Sequence, residues 1–385
     1  MYPRLHPGQN AGMDLLVAAD DRTGALETAA TLADRLGMPI AVATWRSVRG
    51  TGTVGSSDGV AVIDLGTRHL SPGEARARVS ELPLSGRVAH KLDSTLRGNW
   101  PEELAAYADR RPVLLVPALP EQGRTCVDGM VLQHHRPVHE GDAGSDVRRR
   151  VTSSRPADLL RGAAVHQVVE LADRERIERW LADPVGVAVA DAVTDDDIEA
   201  AVTAWTAGRD DVLLAGTSAV IGAVAPEHGS AGPGPVTEAP ILVVCGSVHP
   251  AARAQLAAAE RSGITITTIA DHLTARRLRE VGVLVLATEI PVGDVDEPLA
   301  VAAATALAGG VADLRREVAL GALVVVGGDT AAAVFGDSAV SVRGTVAPGT
   351  AWADVEGFDM PVITRSGGFG SERALVDLVR STLRP

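Results

Sequence analysis

Cysteine is scarce in this chain: Cys126 and Cys245 are the only two among 385 residues, and they lie far apart without metal-ligand spacing. Their scarcity excludes a disulfide framework, argues against a zinc site and favours a reducing compartment. Long apolar runs are missing too. Residues Met1 to Asp14 hold no signal-peptide core, and no later stretch stays apolar long enough to cross a bilayer, so a cytoplasmic location is expected. Positive charge is in deficit, with 36 Lys and Arg against 49 Asp and Glu and a formal net charge of -13. A surface of that sign disfavours adhesion to nucleic acid or to an anionic membrane, and neither is expected as a partner. An anionic substrate must therefore meet locally placed cations.

Two further residue types are nearly absent. Lys91 is the only lysine, every other basic residue being arginine, and asparagine occurs only at Asn10 and Asn99. An ammonium point charge and a planar guanidinium fork differ in shape, hydration and reach. A position where drift toward arginine has spared a lysine is thus a candidate for a chemical requirement, with chance survival as the alternative. No GxxxxGK[ST] signature is present, which disfavours the standard P-loop fold.

What is present is a globular composition, 46% hydrophobic and 22% charged, in a chain longer than one core usually organises. Short apolar runs alternate with amphipathic segments. Leu15–Ala19, Ile40–Thr44, Val60–Leu65, Val113–Pro117, Val185–Ala190 and Val212–Ala215 read as buried strands, and Ala25–Leu36, Pro72–Leu82, Pro101–Arg110, Arg174–Ala182 and Asp195–Ala207 as helices between them. The Gly- and Pro-dense stretch Pro226–Pro240 breaks the pattern, which then restarts at Ile241–Cys245. The expected architecture is α/β: a domain over 1–226, a linker over 227–239 and a domain over 240–385. Each is a mostly parallel sheet flanked by helices, with an active-site cleft between the two. Glu140–Pro156, polar and Arg-rich, reads as a surface excursion. Gln133–Glu140, despite three histidines and a carboxylate, lacks zinc-site spacing and reads as a loop. No protein-held metal is expected.

Ligands of open α/β sheets bind beyond the carboxyl ends of strands, and the polar clusters of this sequence fall there. After the first strand stand Asp20, Asp21, Arg22, Thr23 and Gly24. The two acids could hold hydroxyls. Alternatively, one could act as a base while Thr23 and the helix amides receive an anion, or Asp21 could simply cap the helix. After a strand at Arg87–Ala89 come Lys91, Asp93, Ser94, Thr95, Arg97 and Asn99, a concentrated set of donors for a carboxylate or phosphoryl group, with Asp93 as orienter or base. Gln122 and Arg124 follow the strand at Val113–Pro117 and could close one wall of the same pocket. In the second half, small-residue turns carry Gly246-Ser247, Gly327-Gly328-Asp329-Thr330 and Ser366-Gly367-Gly368. Such turns let a nucleotide's phosphates approach backbone amides.

Taken together, these segments resemble the four-carbon acid sugar kinase family, formerly a domain of unknown function, over nearly the whole chain. Asp20 to Ala25 match its Asp-Asp-x-Thr-Gly-Ala turn. Lys91 to Asn99 match Lys-x-Asp-Ser-Thr-Leu-Arg-Gly-Asn at every fixed position, and Pro117 to Thr125 match Pro-Ala-x-Pro-x-x-Gly-Arg-Thr. In the family's nucleotide domain, Asp329 stands for a glutamate, and Arg365 and Gly368 stand for a lysine and an asparagine.

The resemblance implies an ATP-dependent kinase of threonate, erythronate or 3-oxo-tetronate, acting at the C4 hydroxyl with Mg²⁺ on the phosphates. It places Asp20, Asp21, Thr23, Lys91, Ser94, Arg97 and Arg124 on the sugar acid, with Asp21, Lys91 and Asp93 catalytic. Ser247, Gly327, Gly328, Asp329, Thr330, Ser366, Gly367 and Gly368 are placed on the nucleotide. The rival readings are a nicotinamide-dependent oxidoreductase of the same acids and a non-catalytic sugar-acid sensor. A homodimer is an open expectation, because no residue in the sequence specifies the oligomeric state.

Overall fold

The computed structural model describes residues 15–51, 56–57, 59–84, 86–145, 150–226, 233–269, 275–289 and 297–384. The described residues fall into two compact units, 15–36 with 40–226 and 37–39 with 233–384.

In the first unit, β1 (Leu15–Ala19), β2 (Ile40–Thr44), β3 (Val60–Asp64), β4 (Arg87–Lys91) and β5 (Val113–Val116) are the early strands of a parallel sheet. An antiparallel ribbon of β6 (Arg124–Val127), β7 (Met130–Gln133) and β8 (Arg136–Pro137) follows. The parallel sheet resumes with β9 (Val168–Leu171), β10 (Val187–Ala190) and β11 (Leu213–Gly216). Its order within this unit is β2-β3-β1-β4-β11-β5-β10-β9. Strands β1, β3, β5, β10 and β11 are buried at every residue. That is why they read as continuous Val, Leu and Ala runs rather than as alternation. Helices such as Arg22–Leu36 and Trp100–Ala108 bury apolar side chains, including Leu26, Leu32, Trp100 and Tyr107.

The strand order decides where a ligand can sit. The chain passes from β1 out to β2, returns to insert β3 between the two, and then lays β4 on the other side of β1. The direction of winding thus reverses at β1, and the crevice of such a sheet opens beyond the carboxyl ends at that reversal.

The second unit contains β12 (Ile241–Cys245), β13 (Thr265–Thr268), β14 (Val283–Ala287), β15 (Ala322–Val326), β16 (Val340–Ala347), β17 (Thr350–Val355) and β18 (Val362–Arg365). Their order is β13-β14-β12-β15-β18-β17-β16, parallel as far as β18, with β17 and β16 antiparallel. Its core gathers Ile241, Val243, Val285, Val324, Ile363 and Val376.

Several expectations need correction. Gln133–Glu140 is not a plain loop. His134 and His135, with φ of 48° and 66°, form the two-residue turn joining β7 to β8, a pair of positive φ values that suits the twist of a hairpin. Glu140–Pro156 is not a surface excursion throughout, because Ala143 and Val151 pack into the core and Ser154 is buried; residues 146–149 lie outside the described set. The linker reading falls partly on 227–232, also outside it. The described remainder is tied down: Thr237 N–H donates to the Thr382 carbonyl at 2.7 Å, and Arg384 N–H to the Thr237 carbonyl at 2.8 Å. Met1 to Asp14 lie outside the described residues as well. Among those described, no helix is long and apolar enough to cross a membrane.

Candidate active site

Backbone hydrogen bonds stitch the strand ends at the reversal point together. The carbonyl of Asp20, the first residue past β1, accepts from Thr67 N–H at 2.9 Å and Arg68 N–H at 3.1 Å, both beyond β3. Asn99 completes the seam, its buried side-chain amide donating to the carbonyls of Thr67 at 2.7 Å and Leu70 at 2.8 Å. The second asparagine of the sequence thus fastens the Lys91–Asn99 loop to the turn after β3.

A single guanidinium organises the acids. Arg68 donates through Nε and Nη2 to the two oxygens of Asp20, both at 2.8 Å, and through Nη1 to Asp21 Oδ2 at 2.8 Å. Its Nη2 also lies 3.8 Å from Asp93 Oδ1. The other oxygen of Asp21 accepts from Gly24 N–H at 2.9 Å. Asp20 is fully buried, and burial pushes its carboxyl up to about 6 against the opposing pull of Arg68. Asp93 behaves in the opposite way. Burial raises it, but the guanidiniums of Arg97 and Arg68 outweigh burial and hold it well below the usual carboxylate range. Its oxygens accept from Arg97 Nε and Nη2, both at 3.0 Å, from Thr95 N–H at 3.2 Å and from the Thr95 hydroxyl.

Lys91 is 6% exposed, and among the described residues its ammonium makes no hydrogen bond or ion pair. It stands beside the head of the helix Arg22–Leu36. A Cβ built on Gly24 would lie 2.9 Å from Lys91 Nζ and 2.7 Å from Asp21 Oδ1, so only glycine leaves room for both. Thr23 is half-buried on the same turn. Arg124 Nη1 donates to Ser94 Oγ and to Gln122 Oε1, both at 2.7 Å, which brings the third motif against the second.

The structure thus brings Asp20, Asp21, Lys91, Asp93, Ser94, Arg97 and Arg124 to one edge of the sheet. It also adds residues that the sequence did not single out. Arg68 is one, and its only local signal is a position four residues past β3. Another is Glu27, which accepts from Ser218 Oγ at 3.0 Å and whose charge acts on Arg124.

In the second unit, β12, β15 and β18 are neighbours, with Cys245, Val326 and Arg365 in register. The three small-residue turns therefore leave the sheet side by side. They interlock: a Cβ on Gly367 would lie 2.2 Å from Ser247 Oγ, and one on Gly246 would lie 2.3 Å from Thr330 Oγ1. Gly327 has φ of 105°, open to glycine and strained for other residues. Gly328 begins the helix Gly328–Phe335, with Asp329 exposed and Thr330 buried. Ser366 is half-buried and Gly368 exposed. Arg365, in the place of the family's lysine, points under the turn. It is 2% exposed and donates through Nη2 to the Phe369 carbonyl at 2.7 Å.

Among the described residues, no group of three or more His, Cys, Asp or Glu is placed to hold a metal ion. Asp329 is the single carboxylate on these turns and, as an exposed oxygen donor, fits a Mg²⁺ ion carried by phosphates.

Comparison with known proteins accords with this geometry. Residues 15–224 match the model of a sugar-binding N-terminal domain and residues 242–375 that of a nucleotide-binding C-terminal domain. A D-threonate kinase of Bordetella bronchiseptica is 30% identical, over 94% of this chain and 95% of its own. A D-erythronate kinase of Heliobacterium modesticaldum is 27% identical over 94% and 95%. A 3-oxo-tetronate kinase of Cupriavidus necator is 28% identical over 91% and 93%. A Salmonella typhimurium LT2 chain, solved under the name of a tRNA synthase, shares the fold with a TM-score of 0.74 at 21% identity, covering 96% of this chain and 99% of that one. On these matches, which span both units, the chain belongs to the four-carbon acid sugar kinase family.

Proposed function

We propose that this protein transfers the γ-phosphoryl group of ATP to the C4 hydroxyl of a four-carbon sugar acid, with threonate, erythronate and 3-oxo-tetronate as the candidate substrates. The observation that carries the reading is Lys91, a buried ammonium that makes no hydrogen bond or close ion pair among the described residues, set near the carboxylates of Asp20 and Asp93 where the sheet reverses its winding. A buried ammonium of this kind suits an anionic ligand, because its N–H donors are costly to leave unbonded. The proposal requires the carboxyl-end edges of both units to serve one pair of substrates.

In this reading Lys91 and Arg124 meet the sugar acid's carboxylate, while Asp20, Thr23, Ser94 and Arg97 border its hydroxyls. Asp21 is the base. Its oxygens are each held by one donor and retain free lone pairs, and its side chain is 17% exposed where that of Asp20 is fully buried. Asp93 is the orienter, since a carboxyl held low and engaged by Thr95 and Arg97 is a poor proton acceptor. Asp21 takes the C4 hydroxyl proton as that oxygen attacks the γ-phosphorus, and the bond to the bridging oxygen breaks to release ADP.

Ser247, Gly327, Gly328, Thr330, Ser366, Gly367 and Gly368 line the triphosphate with backbone amides and hydroxyls. Asp329 would hold a Mg²⁺ ion brought in on the nucleotide, which would supply positive charge to the phosphates. The division into a sugar-acid domain, 1–226, and a nucleotide domain, 240–385, belongs to the same proposal. Two outcomes of a coupled ADP-release assay over the three acids test it. Lys91→Met should abolish turnover while ATP binding stays nearly intact. Full activity in that variant would contradict the assignment.

A further inference from the structure

Arg68 lies outside every motif that marks this chain, yet its guanidinium reaches three carboxylates. Its mounting is specific: the backbone N–H of the same residue is bonded to the Asp20 carbonyl at 3.1 Å, so main chain and side chain both grip the end of β1. The side chain is 13% exposed. Two of its donors saturate Asp20 as a bidentate pair, and a third reaches Asp21. An ammonium cannot supply that arrangement, because three donors in one plane with fixed spacing are a property of the guanidinium.

We infer that Arg68 is a positioning residue for the proposed transfer: it neutralises Asp20 and fixes Asp21 in one rotamer, between its own Nη1 and Gly24 N–H, with the remaining lone pairs available to the acceptor hydroxyl. The inference rests on the kinase reading, which it deepens.

The charges facing this point come from every strand around it. Asp20 and Asp21 stand at the end of β1; Lys91, Asp93 and Arg97 at the end of β4 and in its loop; and the buried pair of Arg22 with Asp64, at 2.9 Å, joins the first helix to β3. Without Arg68, two adjacent carboxylates would share one buried corner with only Lys91 near both. Like charges so placed do not ionise together. Asp20, no longer pulled down by the guanidinium, would hold its proton to higher pH, and Asp21 would lose the contact that sets its direction.

The test uses the full chain with Arg68→Lys and Arg68→Gln. Aspartate carboxyl ¹³C resonances are followed against pH, beside kcat, the two KM values and their pH profiles. In the parent one aspartate should titrate near 6. In both variants that titration should move upward, and the acid limb of kcat should move with it. kcat should fall on the order of 100-fold, the scale expected when a reacting group is misplaced, while the KM for ATP holds. Millimolar guanidinium should restore part of the rate to Arg68→Gln. If Arg68→Gln does not fold, the pair Asp20→Asn with Arg68→Gln, which removes the buried charge from both sides, takes its place for kcat and guanidinium rescue, and Arg68→Lys carries the titration. Unmoved titrations and profiles in folded variants overturn the inference. A parent that titrates as described yet phosphorylates no sugar acid overturns the kinase reading instead, because the carboxyl resonances need no turnover.

Discussion

At Gly24 the space that a side chain would take is already occupied by Lys91 Nζ and Asp21 Oδ1, at 2.9 and 2.7 Å from the position of a Cβ. Gly24→Ala should therefore displace one or both and lower kcat on the order of 100-fold. The fold should survive, since alanine is a better helix former than glycine. A kcat within twofold of the parent, alongside an unchanged melting temperature, would show that neither group needs its present place. The two acids flanking Lys91 should give opposite pH signatures in stability. Asp93 is held below its unfolded value of about 3.9, so it contributes stability above that pH and loses it as the pH falls through the folded value. Asp20 is raised to about 6, so the native state holds its proton more tightly and stability declines as the pH rises from about 4 to 6. Urea denaturation of Asp93→Asn should show a deficit of about 1–3 kcal/mol at pH 7 that narrows below pH 4. Asp20→Asn should flatten the slope between pH 4 and 6. An unchanged slope in that variant would argue that burial does not raise Asp20.

At the scale of strands and turns, what could be read in advance depended on how each segment meets water. Strands β1 and β12 were legible to the residue because full burial leaves an unbroken apolar run. The hairpin β16–β17 was not read. Its first strand alternates buried and more exposed positions, as Val340, Ser341 and Val342 do, and its pairing register shifts between Val342 and Gly344. The ribbon β6–β7 carried an Asp128-Gly129 hairpin signal that the histidines nearby overshadowed. The polar clusters at strand ends were legible as three separate motifs, whereas Arg68 was not. Its partners lie 47 and 48 residues away in sequence, and no local pattern encodes a contact made across three strand ends. The nucleotide turns allow a sharper test. A methyl group on Gly367 would collide with Ser247 Oγ and separate the first turn from the third. Gly367→Ala should raise the KM for ATP about tenfold, a loss near 1.4 kcal/mol, while the KM for the sugar acid stays within twofold. Equal effects on both substrates would mean that the turn is not dedicated to the nucleotide.

For the molecule as a whole, the formal net charge of -13 sets a long-range field against two anionic substrates. Added salt screens charges separated by more than about 8–10 Å, while buried cations in contact with a ligand are screened less. Raising an inert salt from 10 to 150 mM should therefore lower the KM for the sugar acid, measured with saturating ATP. A rise in KM would show that local attraction outweighs the global repulsion. The scarcity of lysine has a chemical corollary. With a single side-chain amine in the entire chain, reductive methylation with isotopically labelled formaldehyde can place one reporter group on a side chain, at Lys91, the terminal amine aside. Its resonance, and its protection from the reagent by a bound sugar acid, would turn a compositional accident into a direct gauge of occupancy.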